Sequence, residues 1–391
     1  MKQVAGLIST YSSDEFGICS ALYELGGMVV MHDASGCNST YTTHDEPRWY
    51  DRESMIYISA ISEMEAIMGD DDKFIQDLVS TAKMLSPRFI AIVGAPIPYM
   101  TGIDLDAIAR IVERKTGICS FGFPANGMRN YTWGVSKALE KLVMTFCKEE
   151  KKEDRAVGIL GATPLDYGIN GSIESMVQWL LKCGFSCNCT LAMGDSLEDI
   201  AGAAKAEASL VISYGGLAAA KYLEKTFGIP YVVGAPFGKA FSGKVEQALN
   251  EAIRTGKNQM PYQMASSEMR PFESFSAGHK EELVIIGESV YSASLAAAIE
   301  MEYNVGTKVI CPVDSDEKLL RSQDEQAPEE DDIFQCVKGA KYIIADPLYQ
   351  PICPENARFY PLGHIAFSGR IYEKTIPNFV NRKIGESEDM R

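Results

Sequence analysis

The sequence predicts an α/β fold, with three Rossmann-like parallel-sheet domains around a central cleft. Apolar runs of strand length recur along the 391 residues, and segments of helical period separate them. That alternation gives parallel sheets with helices on both faces. A dense charged run at 148–155 and a polar stretch at 265–280 interrupt it, and dense charge belongs on solvated connections. After each interruption the plan of strand, turn and helix starts again. The domains so bounded are residues 1–153, 154–278 and 279–391.

In the first block the apolar runs place strands near 28–32, 55–59, 88–93 and 118–122, followed by a helix over 132–148. The second opens with Ala156-Val157-Gly158-Ile159-Leu160-Gly161 and continues with strands at 185–193, 209–213 and 230–234, separated by helices such as 172–182 and 217–227. The third has strands at 283–287, 307–311 and 341–346 and a helix over 292–303. Its acidic segment 322–332 contains Pro328 and no apolar residue but Ala327, and reads as a solvated loop. Gly161-Ala162-Thr163 and Gly287-Glu288-Ser289 each follow a first strand, but lack the clustered glycines of a phosphate-cradling loop. This chain is therefore expected to bind no nucleotide.

Composition narrows the class. A formal charge of −16 argues against nucleic acid and anionic membrane surfaces, both of which select basic patches. No stretch approaches the apolar length of a membrane span, and Met1-Lys2-Gln3-Val4-Ala5 opens a strand-like segment, not a signal peptide. Ten cysteines in such a chain read as reduced thiols and a few metal ligands, not as a disulfide framework. A cytoplasmic protein is expected.

Two of those thiols stand out. The apolar run Met28-Val29-Val30-Met31 stops at His32-Asp33, and the small-residue turn Ala34-Ser35-Gly36 presents Cys37 at the strand end. In open α/β sheets that edge is where ligands bind. Cys19 lies on the helix leading into the same strand, so both thiols can face one site, and soft thiolates suit iron–sulfur clusters or zinc. The plainer alternative is a pair of buried thiols.

A cysteine in a helix followed by a strand ending in His-(small)-Gly-Cys resembles the N-terminal region of the nitrogenase component 1 family. That family comprises the nitrogenase catalytic subunits, their cofactor-assembly scaffolds and the protochlorophyllide and chlorin reductases. Further similar segments follow in order: 62–70, Ser86-Pro87-Arg88-Phe89, Thr101-Gly102-Ile103-Asp104, Phe123-Pro124-Ala125-Asn126-Gly127, Gly194-Asp195 with Glu198-Asp199-Ile200, and Phe227-Gly228-Ile229-Pro230. The resemblance covers nearly the whole chain, and it too implies three Rossmann-like domains. Cys19 and Cys37 match the first two cluster cysteines of the family. The third has no counterpart in Gly94-Ala95-Pro96-Ile97-Pro98, and the cofactor cysteine of the catalytic subunit has none in Val211-Ile212-Ser213-Tyr214-Gly215-Gly216. Dinitrogen is therefore not the expected substrate.

The resemblance implies a [4Fe–4S] cluster at a subunit interface, with Cys19 and Cys37 of each subunit supplying its ligands in a homodimer. A heterodimer with a paralogous component 1 subunit would serve equally. It implies electrons from an ATP-dependent iron-protein reductase, passed to a small substrate. A scaffold or carrier in metallocofactor assembly and a metal-free ligand-binding protein of the same fold are the alternatives. His32 is placed to hydrogen-bond a thiolate or to hold the strand end. Tyr214, Gly215 and His44 are candidates for lining a substrate pocket, and His364 is a candidate proton donor or a structural histidine. Cys183, Cys187 and Cys189 read as a buried cysteine-rich strand and the helix end before it, and Asp70-Asp71-Asp72 as a helix N-terminus favoured by the dipole.

Overall fold

A computed structural model describes residues 6–69, 71–263 and 283–385, and the side chain of Cys37 lies outside the described residues. So do Asp70, His279, the stretch 265–280 and the boundary expected at 278/279. The rest forms three all-parallel sheets. The first contains β1 (Met28–Met31), β2 (Met55–Ile58), β3 (Ile90–Val93) and β4 (Ser120–Phe123) in the order β2-β1-β3-β4. The second contains β5 (Ala156–Leu160), β6 (Ser186–Leu191), β7 (Ala208–Val211) and β8 (Tyr231–Val233) in the order β6-β5-β7-β8. The third contains β9 (Leu283–Ile286), β10 (Thr307–Cys311), β11 (Glu325–Gln326), β12 (Tyr342–Ala345) and β13 (Arg358–Pro361) in the order β11-β10-β9-β12-β13. Central strands such as β1, β3, β5 and β7 are buried along their whole length. That is why they read as unbroken apolar runs and not as alternating ones.

Each strand order reverses once, between β1 and β3, between β5 and β7, and between β9 and β12. Loops leaving the carboxyl ends of these pairs diverge to opposite faces and open a crevice between them. His32 and Cys37 follow β1, and Tyr214 follows β7, so these candidates fall on such loops.

The segment 322–332 departs from the solvated loop expected of it. Asp324 accepts from Val309 N–H at 2.9 Å and pairs with Arg321 at 2.8 Å, so the chain is held against β10 and pairs with it as β11. Ala327 is fully buried, and the helix Glu330–Cys336 starts within the same segment. The helix expected over 292–303 begins earlier, at Ser289, because the Glu288 carboxylate accepts from Val290 and Tyr291 N–H and caps it.

One apolar core runs through all three units, and a smaller one lies under the helices Asp71–Leu85 and Leu105–Thr116 of the first sheet. The helix Asp14–Leu22 crosses Tyr131–Phe146 through two glycines. A Cβ on Gly17 would stand 2.0 Å from the Tyr131 carbonyl oxygen, and one on Gly134 would stand 2.0 Å from that of Asp14. Only glycine permits backbones to approach so closely.

Candidate functional site

The first site surrounds the turn after β1. His32 N–H donates to the Val93 carbonyl at 2.8 Å, its Nδ1 lies 3.0 Å from Ser59 Oγ, and its ring stacks on Phe74 with centroids 3.9 Å apart. Burial lowers its pKa to about 4, which leaves the ring neutral at physiological pH. Asp33 accepts from Asn38 Nδ2 at 2.6 Å. Ser35 and Gly36 both adopt positive φ, 108° and 89°, and reverse the chain into the short helix Cys37–Thr40. A widened helical turn, Tyr41–Asp45, continues it.

Cys19 lies one turn inside the helix Asp14–Leu22 and is 0 % exposed. Burial pushes its thiol pKa well up, and the nearby Glu15 and Glu46 add to the effect. Behind it Arg48 is buried with Glu46 and Glu24, at 2.6 and 2.9 Å, and donates to the Ser20 carbonyl at 2.8 Å. Several polar side chains are buried with this thiol: Tyr23 Oη has no hydrogen-bond partner, Tyr41 and Ser20 pair loosely with each other, and Glu15 leans on Asp14 and Ser13 with its Oε2 left over. Burial, and then the adjacent Asp14, raise the Glu15 pKa to about 8.

Each orphaned group of this kind costs about 1–3 kcal/mol. The chain itself fills the hydrogen-bonding capacity of these groups only in part, and a bound polar group would take up the rest. This is the observation on which Cys19 fits an iron–sulfur group. Among the described residues no set of three or more His, Cys, Asp or Glu side chains converges as a metal site.

The other two sheets meet the first at a buried polar junction. Tyr131 Oη donates to Asp166 Oδ1 at 2.5 Å and lies 3.3 Å from His364 Nε2. His364 Nδ1 accepts from Ala366 N–H at 3.2 Å, which assigns the ring proton to Nε2, facing Tyr131 and, at 3.5 Å, Asp166. Asp346 receives the His364 N–H at 2.7 Å. Glu288 Oε1 accepts from Tyr214 N–H at 2.8 Å, and burial, with Asp166 nearby, raises the Glu288 pKa to about 7. His364 is thus the N-cap of Ile365–Ser368 and a member of a buried network.

The remaining candidates separate. His44 projects an exposed side chain beside Asp45 at 3.6 Å, and its carbonyl accepts from Arg370 at 2.9 Å. Tyr214 is half-buried beside that junction. Gly215 packs on the helix Tyr131–Phe146, where a Cβ would stand 2.4 Å from Val135 Cγ1. Cys189 is buried, and the Cys187 thiol donates to the Cys189 carbonyl at 3.4 Å.

Two further features lie at the carboxyl edge of the first sheet. A cavity of about 300 Å³, which sequence reasoning passed over, opens between Pro98, Tyr99, Asp104 and Pro124. Beside it the helices Glu63–Met68 and Pro96–Thr101 touch each other and expose Met64, Ile67, Met68, Tyr99 and Met100. Glu63–Met68 carries four apolar residues, Met64, Ala66, Ile67 and Met68, on a helix with no buried residue.

Comparison with known proteins agrees with this architecture. Residues 20–321 match the family model described as nitrogenase component 1 type oxidoreductase. The chain is 28% identical over 218 residues to the nitrogenase iron-molybdenum cofactor biosynthesis protein NifE of Clostridium pasteurianum, covering 52% of this chain and 45% of that protein. It is 23% identical over 209 residues to a subunit of the light-independent protochlorophyllide reductase of Heliobacterium modesticaldum, covering 52% and 40%. The chain thus spans less than half the length of these relatives. Its fold superposes on a structure titled "Nitrogenase Cp1 at pH 6.5" with a TM-score of 0.65 at 14% identity, over 94% of this chain and 86% of that one.

Proposed function

The chain belongs to the nitrogenase component 1 type oxidoreductase family, and from that premise we propose that it is an iron–sulfur oxidoreductase subunit. It takes electrons from an ATP-dependent iron-protein reductase and passes them to a small substrate other than dinitrogen. The single observation that carries this reading is the buried Cys19 thiol with incompletely hydrogen-bonded polar groups around it. Cys19 and Cys37 of two subunits would hold a [4Fe–4S] cluster at the interface, and two-fold symmetry brings identical residues together there. When bound, such a cluster supplies one-electron transfer. The chain's own contribution is a dry, rigid seat: the glycine crossing fixes the Cys19 helix, and Ser35 and Gly36 turn the chain into Cys37.

The reductase would dock on the apolar face of Glu63–Met68 and Pro96–Thr101, which exposed Glu63, Asp71, Asp104 and Asp106 rim. An apolar centre with an acidic rim favours a partner with basic residues. A scaffold role in cofactor assembly is the second reading, favoured by the likeness to NifE.

The test is anaerobic purification followed by single-turnover oxidation. Brown protein with about four irons per dimer, reduced by a co-encoded iron protein with ATP, supports the proposal. Iron-free protein after anaerobic reconstitution overturns it. Iron that binds but is never reduced by that partner favours the scaffold.

A further inference from the structure

The helices Cys37–Thr40 and Tyr41–Asp45 run on as one stretch, and its two ends are held differently. At the start the hold is local, with Asn38 Nδ2 donating to Asp33 at 2.6 Å. At the far end the contacts come from distant parts of the chain. Arg370 Nη1 donates to the His44 carbonyl at 2.9 Å across 326 positions of sequence, and its guanidinium lies 5.5 Å from the centre of the Tyr50 ring. Glu373 fixes Arg370 in turn, accepting from its Nε at 3.0 Å. Tyr11 Oη donates to the Asp45 carboxylate, and the Thr10 and Tyr11 N–H groups donate at 2.9 Å to the carbonyls of Phe367 and Ala366. Both outside contacts thus lead back to one short piece of the third unit, 366–373.

The last carbonyls of a helix have no partners within it, and that end favours cations over anions. Asp45 nevertheless puts a carboxylate there. Arg370 answers both deficits, with a donor for a carbonyl and a positive charge close enough to act on Asp45. We infer that Arg370 is a positioning residue: from the third unit it clamps the carboxyl end of the 37–45 stretch, and thereby sets how firmly Cys37 is presented for ligation. This role rests on the reading of Cys37 as an iron ligand. A ligand on a loose turn has to be ordered each time the metal group binds, and a clamp made beforehand removes part of that entropic cost. The clamp also makes a seat in the first unit depend on the third, so a displacement between the two would reach Cys37 without touching it.

The experiment compares the wild-type protein with Arg370→Met, which keeps the stem and loses every donor, and Arg370→Lys, which keeps a cation. The Arg370 side chain is 30 % exposed, so both variants are expected to fold with melting temperatures close to wild type. In the metal-free protein, hydrogen–deuterium exchange of the 38–46 amides should be about tenfold faster in the methionine variant. It should stay near wild type in the lysine variant, and exchange over 15–22 should be the same in all three. After anaerobic reconstitution, iron should pass to a chelator several-fold faster from the methionine variant, with lysine restoring the slow rate. Unchanged exchange over 38–46 in the methionine variant overturns the inference and leaves the cluster reading intact. Faster exchange with unaltered iron release also overturns it, because the clamp would then hold the chain without serving Cys37. A wild-type protein that binds no iron removes the cluster reading, and this role for Arg370 with it.

Discussion

Tyr131 Oη donates a hydrogen bond to Asp166 Oδ1 across 2.5 Å, with the His364 imidazole 3.3 Å from the same phenol oxygen. One phenol thereby joins a helix that leaves the first sheet, a short helix after β5 of the second, and the loop after β13 of the third. Tyr131→Phe keeps the ring and takes the shortest donor from the buried carboxylate, leaving it Thr163 Oγ1 at 3.4 Å and His364 at 3.5 Å. A loss of about 1–3 kcal/mol is expected, read as a lower midpoint in urea. An unchanged midpoint would mean that Asp166 draws its stabilisation elsewhere.

The buried His32 sets an acid limit. Its folded pKa is about 4 against an ordinary 6.5. Above 6.5 both folded and unfolded chains carry it neutral, and its contribution is complete. As pH falls from 6.5 toward 4 the unfolded chain takes up a proton that the folded one refuses, so stability drains at about 1.4 kcal/mol per pH unit. His32→Gln should flatten that part of the stability–pH curve. An unaltered slope would place the acid sensitivity on another group.

The crossing of Asp14–Leu22 over Tyr131–Phe146 tolerates no side chain at Gly134, because the atom it would strike is backbone. Gly134→Ala should cost about 3 kcal/mol, the upper end of overpacking penalties, and Gly134→Ser at least as much. Far-ultraviolet circular dichroism during thermal melting checks it. A melting temperature equal to wild type would show that the helices can part freely.

Cys37→Ala should abolish iron loading, and Cys37→Ser should weaken it, because a hard hydroxyl replaces a soft thiolate poorly. Iron content per dimer after identical anaerobic reconstitution is the measurement. Full loading of the alanine variant would exclude Cys37 as a ligand.

Placing a charge on the exposed apolar face should separate docking from chemistry. Met100→Asp is expected to weaken reductase binding about tenfold or more, while iron content and the melting temperature stay at wild-type values. Binding should also fall as salt screens the acidic rim. Undiminished binding would move the docking surface elsewhere.

Much of the fold was legible because β1, β3, β5 and β7 are buried on both faces and therefore read as apolar runs. β11 was not, because Glu325 and Gln326 are exposed and owe their strand to the Asp324 clamp on Val309 and Arg321. At the site, Cys19 and Cys37 could be singled out by type and position. The polar groups that Glu15, Ser20, Tyr23 and Tyr41 bury near it could not, since burial and partnering are properties of packing. The union of Tyr131, Asp166 and His364 was equally hidden, because Tyr131 and His364 lie 233 positions apart and their meeting depends on how three sheets abut.

The exposed Met64, Met68 and Met100 have a consequence for the protein's life in air. A thioether on the surface is open to oxidation to the sulfoxide, which turns an apolar contact polar and chiral. Oxygen would then blunt this face for association while every buried side chain stayed intact. Such damage would be reversible by methionine sulfoxide reductases, unlike the loss of a metal group.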